Sequence, residues 1–168
     1  MRPWIKPVLA SLAFGGWWLL LTLCRDRWVM VTLAAALLLW EALPGGMRGR
    51  ALLLAGAGCL LDLALAASGL LRFVGVGALP LWMMVWWLSF ACWWLWLLQS
   101  WRPRPRLLML LGAVAAPLAR YAAFKSQALQ PGVAWWLLLP LLALLWGWLL
   151  PQTLRLAAPR IEGRAQAG

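Results

Sequence analysis

The sequence predicts an all-α fold, a polytopic transmembrane helical bundle of about six spans with no soluble domain. Three observations carry that expectation. Of the 168 residues, 65% are hydrophobic and 11% charged, against about 25% charged in a typical soluble domain. The apolar residues come in runs close to the ~20 residues that a helix needs to cross a ~30 Å hydrocarbon core. Charges and helix breakers are gathered between those runs. Backbone N–H and C=O groups in lipid must be bonded within the segment, so the runs predict helices. None has the alternating pattern of an outer-membrane barrel strand.

Taken in order, the spans fall at about 7–23, 28–43, 51–71, 80–100, 107–124 and 133–151 of a single membrane domain covering 1–168. The first follows Arg2 and Lys6 and imitates a secretory signal, with a lipoprotein-like box at 21–24. Leu23 is bulky where cleavage wants a small residue, and Arg25 follows Cys24 at once, so an uncleaved first helix is expected. The second span is short and needs flanking residues or local bilayer thinning. Ahead of the fifth, Arg-Pro-Arg-Pro-Arg at 102–106 stops one helix and holds three charges in a loop. The loops are a few residues long, and 152–168 reads as a short basic tail.

An even number of spans places both termini on one side. Arg2, Lys6, Arg48, Arg50, Arg102, Arg104, Arg106, Arg155, Arg160 and Arg164 fall on that face, and Arg25, Arg27, Arg72 and Lys125 on the other. The excess puts both termini in the cytoplasm of a bacterial inner membrane. The net charge of +11 is thus an orientation signal, and no nucleic-acid partner is expected. The basic loop Arg102, Arg104 and Arg106 is a candidate contact for anionic lipid headgroups. With no His, Ser-His-Asp triads, His-bearing zinc sites and bis-His haem are excluded. Cys24, Cys59 and Cys92 form no C-x-x-C pair. No metal site, cofactor or catalytic residue is expected, and the chain leans away from being an enzyme.

Glu41, Asp62 and Arg120 are the ionisable residues placed within hydrocarbon. Each costs about 2.5–3.5 kcal/mol near the bilayer centre on the insertion scale for Asp or Arg. Glu41 lies near a span end, where it can pair with Arg48 or Arg50. Asp62 falls about 16 Å into span three and Arg120 about 20 Å into span five at 1.5 Å per residue. Small residues flank both, which predicts that spans three and five pack together with Asp62 and Arg120 as a charge pair or on one polar cavity. Either the pair fixes helix register or it forms, with the adjacent Tyr121, a ligand, proton or substrate site. Pro117 frees the carbonyl of Ala113 and can kink span five just before Arg120.

Span four is rich in tryptophan. Trp82, Trp86, Phe90 and Trp93 lie near one stripe and form a candidate aromatic, lipid-facing wall. Interfacial belts explain Trp82 and Trp101 but not a mid-span Trp93. Such a wall can fill space between helices, or stack against a flat lipid, quinone or pigment.

Leu-Leu-Asp-Leu-Ala-Leu at 60–65, Gly-Leu-Leu-Arg-Phe at 69–73, Leu-Pro-Leu-Trp-Met at 79–83, the aromatic run to Trp101 and Gly-Ala-Val-Ala-Ala-Pro-Leu-Ala-Arg-Tyr-Ala-Ala at 112–123 carry a resemblance. Together with the Trp-rich last span, they resemble the bacterial membrane family catalogued as domain of unknown function 2878. The resemblance implies a multi-span inner-membrane protein without an established activity. It also implies a setting in membrane-lipid modification, beside enzymes that resemble cyclopropane-fatty-acid synthases. The family pattern carries an aromatic where this chain has Arg120, which implies that an Asp62 to Arg120 pair is not a family-wide device.

Two functional expectations follow. The first is an accessory or scaffold protein in membrane-lipid modification, with the bilayer and a lipid-modifying enzyme as partners. The second is a small lipid or solute transporter or binding protein with a buried Asp62 site, which in six spans implies a homo-dimer.

Overall fold

A computed structural model of the chain describes residues 5–75, 77–101 and 103–157. Among these, five helical stretches are long and apolar enough to cross a membrane, the first running from Ile5 to Glu41. That stretch has two limbs, α1 (Ile5–Cys24) and α2 (Val29–Glu41), joined by a 3-10 turn over Arg25–Trp28. Arg25 adopts a left-handed φ of 42°, a conformation that a side chain with a β-carbon resists and that interrupts a right-handed helix. The limbs fold back as a hairpin. Phe14 lines one cavity with Leu39 and Ala42, although a continuous helix would hold Phe14 and Leu39 about 38 Å apart. The difference from six full spans lies in α2, whose 13 residues rise only about 20 Å.

α3 (Gly45–Ala67) begins six residues ahead of the apolar run, because its first turns carry charges that are locally bonded. Arg48 pairs with the Glu41 carboxylate at 2.8 Å, donates to the carbonyl oxygens of Glu41 and Leu43, and lies over the Trp40 ring. The sequence expectation for Glu41 is therefore met. α4 (Leu81–Ser100) and α5 (Pro105–Lys125) start at prolines or directly after them. The fixed φ of proline suits a first helical turn, and its missing N–H is not needed there. α6 (Trp135–Gln152) is followed by one short turn, α7 (Leu154–Ala157). Of the basic tail expected at 152–168, residues 158–168 lie outside the described residues.

α4 is the hub of the bundle, packing against α1, α2, α3 and α7, while α5 and α6 form a tight pair of their own. Small residues set both close approaches, though not between α3 and α5 as the sequence suggests. The small face of α3 meets α4: a β-carbon on Gly58 would overlap the Trp87 indole. The small face of α5 meets α6: a β-carbon on Gly112 would overlap the Trp146 carbonyl, and one on Gly147 would come within 3.3 Å of the Met109 carbonyl. Sequence spacing identifies a small-residue face but not which neighbour fills it.

The loops after α3 and α5 pair with each other, which the hydropathy pattern does not reveal. β1 (Leu71–Phe73) and β2 (Leu129–Pro131) run antiparallel with Arg72 opposite Gln130. Arg25 of the first hairpin donates to the Gln127 carbonyl at 2.9 Å, so three connections are tied at this ladder end. At the opposite end, Arg50 donates to the Leu156 carbonyl at 2.9 Å, and Trp94 donates to the Thr153 hydroxyl at 2.8 Å.

Candidate functional site

Asp62 and Arg120 meet. Arg120 Nη2 lies 2.5 Å from Asp62 Oδ1, and both side chains are buried, Asp62 completely. The second carboxylate oxygen accepts the indole N–H of Trp87 at 2.8 Å. Both oxygens of the acid are thus occupied, as a charge in a low-dielectric interior requires. Arg120 also lies over the Phe73 ring at 5.6 Å, so β1 supplies a cation–π face to its free side.

Helix lengths explain the meeting. Asp62 stands five residues before the end of α3, Trp87 six residues after the start of α4 and Arg120 five residues before the end of α5. All three lie about 8–9 Å from the ladder end at 1.5 Å per residue. The site is therefore displaced from the mid-span depth the sequence suggests, because α3 starts early and ends at Ala67. Trp87 is the partner that sequence reasoning misses. Depth measured from the ladder end, and Gly58 one helical turn from Asp62, are the signals that point to an indole there.

Tyr121 does not join the pair. It is exposed, packs its ring edge-on to Trp135 at 5.5 Å and lies under the Lys125 ammonium. One residue of helical rotation carries it away from Arg120.

The aromatic wall faces a cleft between helices. Trp82 is fully buried and donates to the Val74 carbonyl, while Trp86, Phe90 and Trp93 are half-buried. The reason is the central place of α4, whose stripe is flanked by α1 and α5. Together they line a cleft of about 500 Å³ that follows α4 from Trp82 to Trp101, with Phe14 and Trp18 of α1 on one side and Ala116, Ala119 and Arg120 of α5 on the other. Trp86 stacks on Phe90 at 5.3 Å and Phe90 on Trp94 at 5.8 Å, each within 11° of parallel. Phe14 stacks on Trp93 at 4.3 Å. The indole N–H groups of Trp86, Trp93 and Trp146 are buried and make no hydrogen bond among the described residues.

Asp62 is sealed away behind Arg120, so the charged group on the cleft wall is the guanidinium. Only Nη2 donates to Asp62, and Arg120 makes no other hydrogen bond among the described residues. Among the described residues, no cluster of three or more metal-ligating side chains is present. Of the candidate headgroup contacts, Arg104 and Arg106 are exposed at the start of α5, and Arg102 lies outside the described residues.

A bundle of apolar helices around a buried ion pair and an aromatic cleft defines a multi-pass membrane protein of the helical class. Its family follows from comparison with known proteins: a model described as "Protein of unknown function (DUF2878)" matches residues 7–152, and the chain belongs to that family. No curated protein and no solved structure matches it.

Proposed function

We propose that the protein binds a membrane-dissolved lipid in the cleft between α1, α4 and α5, from a bacterial inner membrane with both termini in the cytoplasm. The observation that carries this reading is the cleft itself, of about 500 Å³ and within the ~300–1,000 Å³ of ligand sites. Its lining is almost wholly apolar, with one buried cation near its ladder end.

An accessory role toward a lipid-modifying enzyme is the narrower form of the same reading. Arg104, Arg106 and Arg155 are exposed at the cleft's other end, where anionic headgroups or an acidic partner surface would be drawn at about 1 kcal/mol per basic residue.

Lipid extracted from the purified protein tests the binding reading. Ala116→Phe and Ala119→Phe place rings in the cleft from its α5 wall, and are expected to abolish bound lipid while the helical circular dichroism is retained. Equal lipid content in wild type and both variants would overturn the proposal.

A further inference from the structure

Resting on the lipid-binding reading, we propose that the occupant is a neutral lipid whose head is a flat ring bearing carbonyl oxygens, of the quinone class. The ring would lie against the Trp86 and Phe90 faces with one carbonyl on Arg120.

Three features select that chemistry. The first is donor polarity. Arg120 offers N–H groups to the cleft while both oxygens of Asp62 are already taken, so the head must accept hydrogen bonds. The second is charge. Arg120 and Asp62 are neutral as a pair, and no other ionisable side chain among the described residues lines the cleft. A carboxylate or phosphate head would therefore bring an uncompensated charge into a low-dielectric site, whereas a carbonyl would not. The third is shape. The near-parallel rings of Trp86, Phe90 and Trp94 form a ladder along α4 that suits a planar ring stacked offset on its first rungs. Below the head, the cleft continues past Trp93 and Leu97 toward Trp101, giving the prenyl tail an apolar path along the helix axis.

The test uses the full chain in nanodiscs of palmitoyl-oleoyl phosphatidylcholine, with the retained probe measured above that in protein-free discs. Decylubiquinone is the ring-bearing probe, methyl palmitate the neutral carbonyl without a ring, and palmitate the charged head. Wild type is expected to retain decylubiquinone at least tenfold better than either acyl probe. Phe90→Leu, which leaves the ion pair intact, is expected to weaken decylubiquinone about five-fold, the worth of an aromatic stack, and to weaken methyl palmitate markedly less. Arg120→Lys keeps the counter-charge for Asp62 but loses the guanidinium fork, and is expected to shift the infrared carbonyl band of bound decylubiquinone toward its free position.

Equal retention of decylubiquinone and methyl palmitate, with no selective loss in Phe90→Leu, would overturn the quinone assignment and leave lipid binding standing. Preferential retention of palmitate would overturn the neutral head. No retention of any probe, in a protein that also yields no copurified lipid, would remove both readings.

Discussion

Asp62 is held by two unlike donors, a cation and an indole, and the two deletions should not cost the same. Asp62→Asn leaves the Arg120 guanidinium buried without its counter-charge, a loss of about 3–5 kcal/mol. Trp87→Phe removes one hydrogen bond to a carboxylate, about 1.5–3 kcal/mol, and keeps the ring that fills the space at Gly58. Removing both charges, as in Asp62→Leu with Arg120→Leu, should recover part of the single-mutant loss, since neither ion is then stranded. Denaturation of the three variants in detergent micelles gives the order; a double variant less stable than Asp62→Asn would contradict the ion-pair energetics. At this scale the sequence shows the two ions and nothing of the third partner. An acid and a base within hydrocarbon stand out in any apolar run, whereas one tryptophan among sixteen carries no local mark of being the one whose N–H reaches the carboxylate.

Glycines divide the helices into faces that touch and faces that do not. A methyl group on Gly58 would collide with Trp87, and one on Gly112 with the Trp146 backbone, while Gly56 has open space around it. Gly58→Ala is expected to cost about 1–3 kcal/mol by overpacking and to displace the indole from Asp62. Gly56→Ala should be neutral or stabilise its helix by up to about 1 kcal/mol. Thermal unfolding of the pair checks this, and similar effects at both positions would contradict the α3 to α4 packing. Helix ends were legible to within a few residues where Pro80 and Pro105 mark them. The start of α3 was not, since hydropathy ends a span at its first charge while a helix continues wherever Arg48 can be bonded locally. Nor was the α5 to α6 pairing, because alanines and glycines flag close approach without naming the neighbour.

For the whole molecule, the chain reverses direction so that the Arg25 turn and the β1 to β2 ladder share one end, and Arg104 and α7 the other. The basic residues predict that the ladder end is periplasmic. A cysteine placed at exposed Gln130, in a Cys24→Ser background, should react with a membrane-impermeant maleimide in intact cells, and one at exposed Arg104 only after lysis. The reverse pattern would invert the topology. Class, approximate span number and the ion pair were all present in the composition and in depth arithmetic. The cleft in front of the tryptophan wall was not, because periodicity locates a stripe on a helix and only the central position of α4 decides what flanks it.

The ladder also sets where the cleft can widen. Arg25 bonded to Gln127 and β1 bonded to β2 fasten the first hairpin to the loops beside α5 at one end. Toward the other end, α1 and α5 flank the cleft with apolar side chains and no hydrogen bond between them among the described residues. The two helices are therefore fastened beside Arg120 and held only by packing at the other end. A lipid entering sideways from the bilayer would meet the unfastened end first, so the proposed head site would lie nearest the fastenings and the proposed tail path farthest from them.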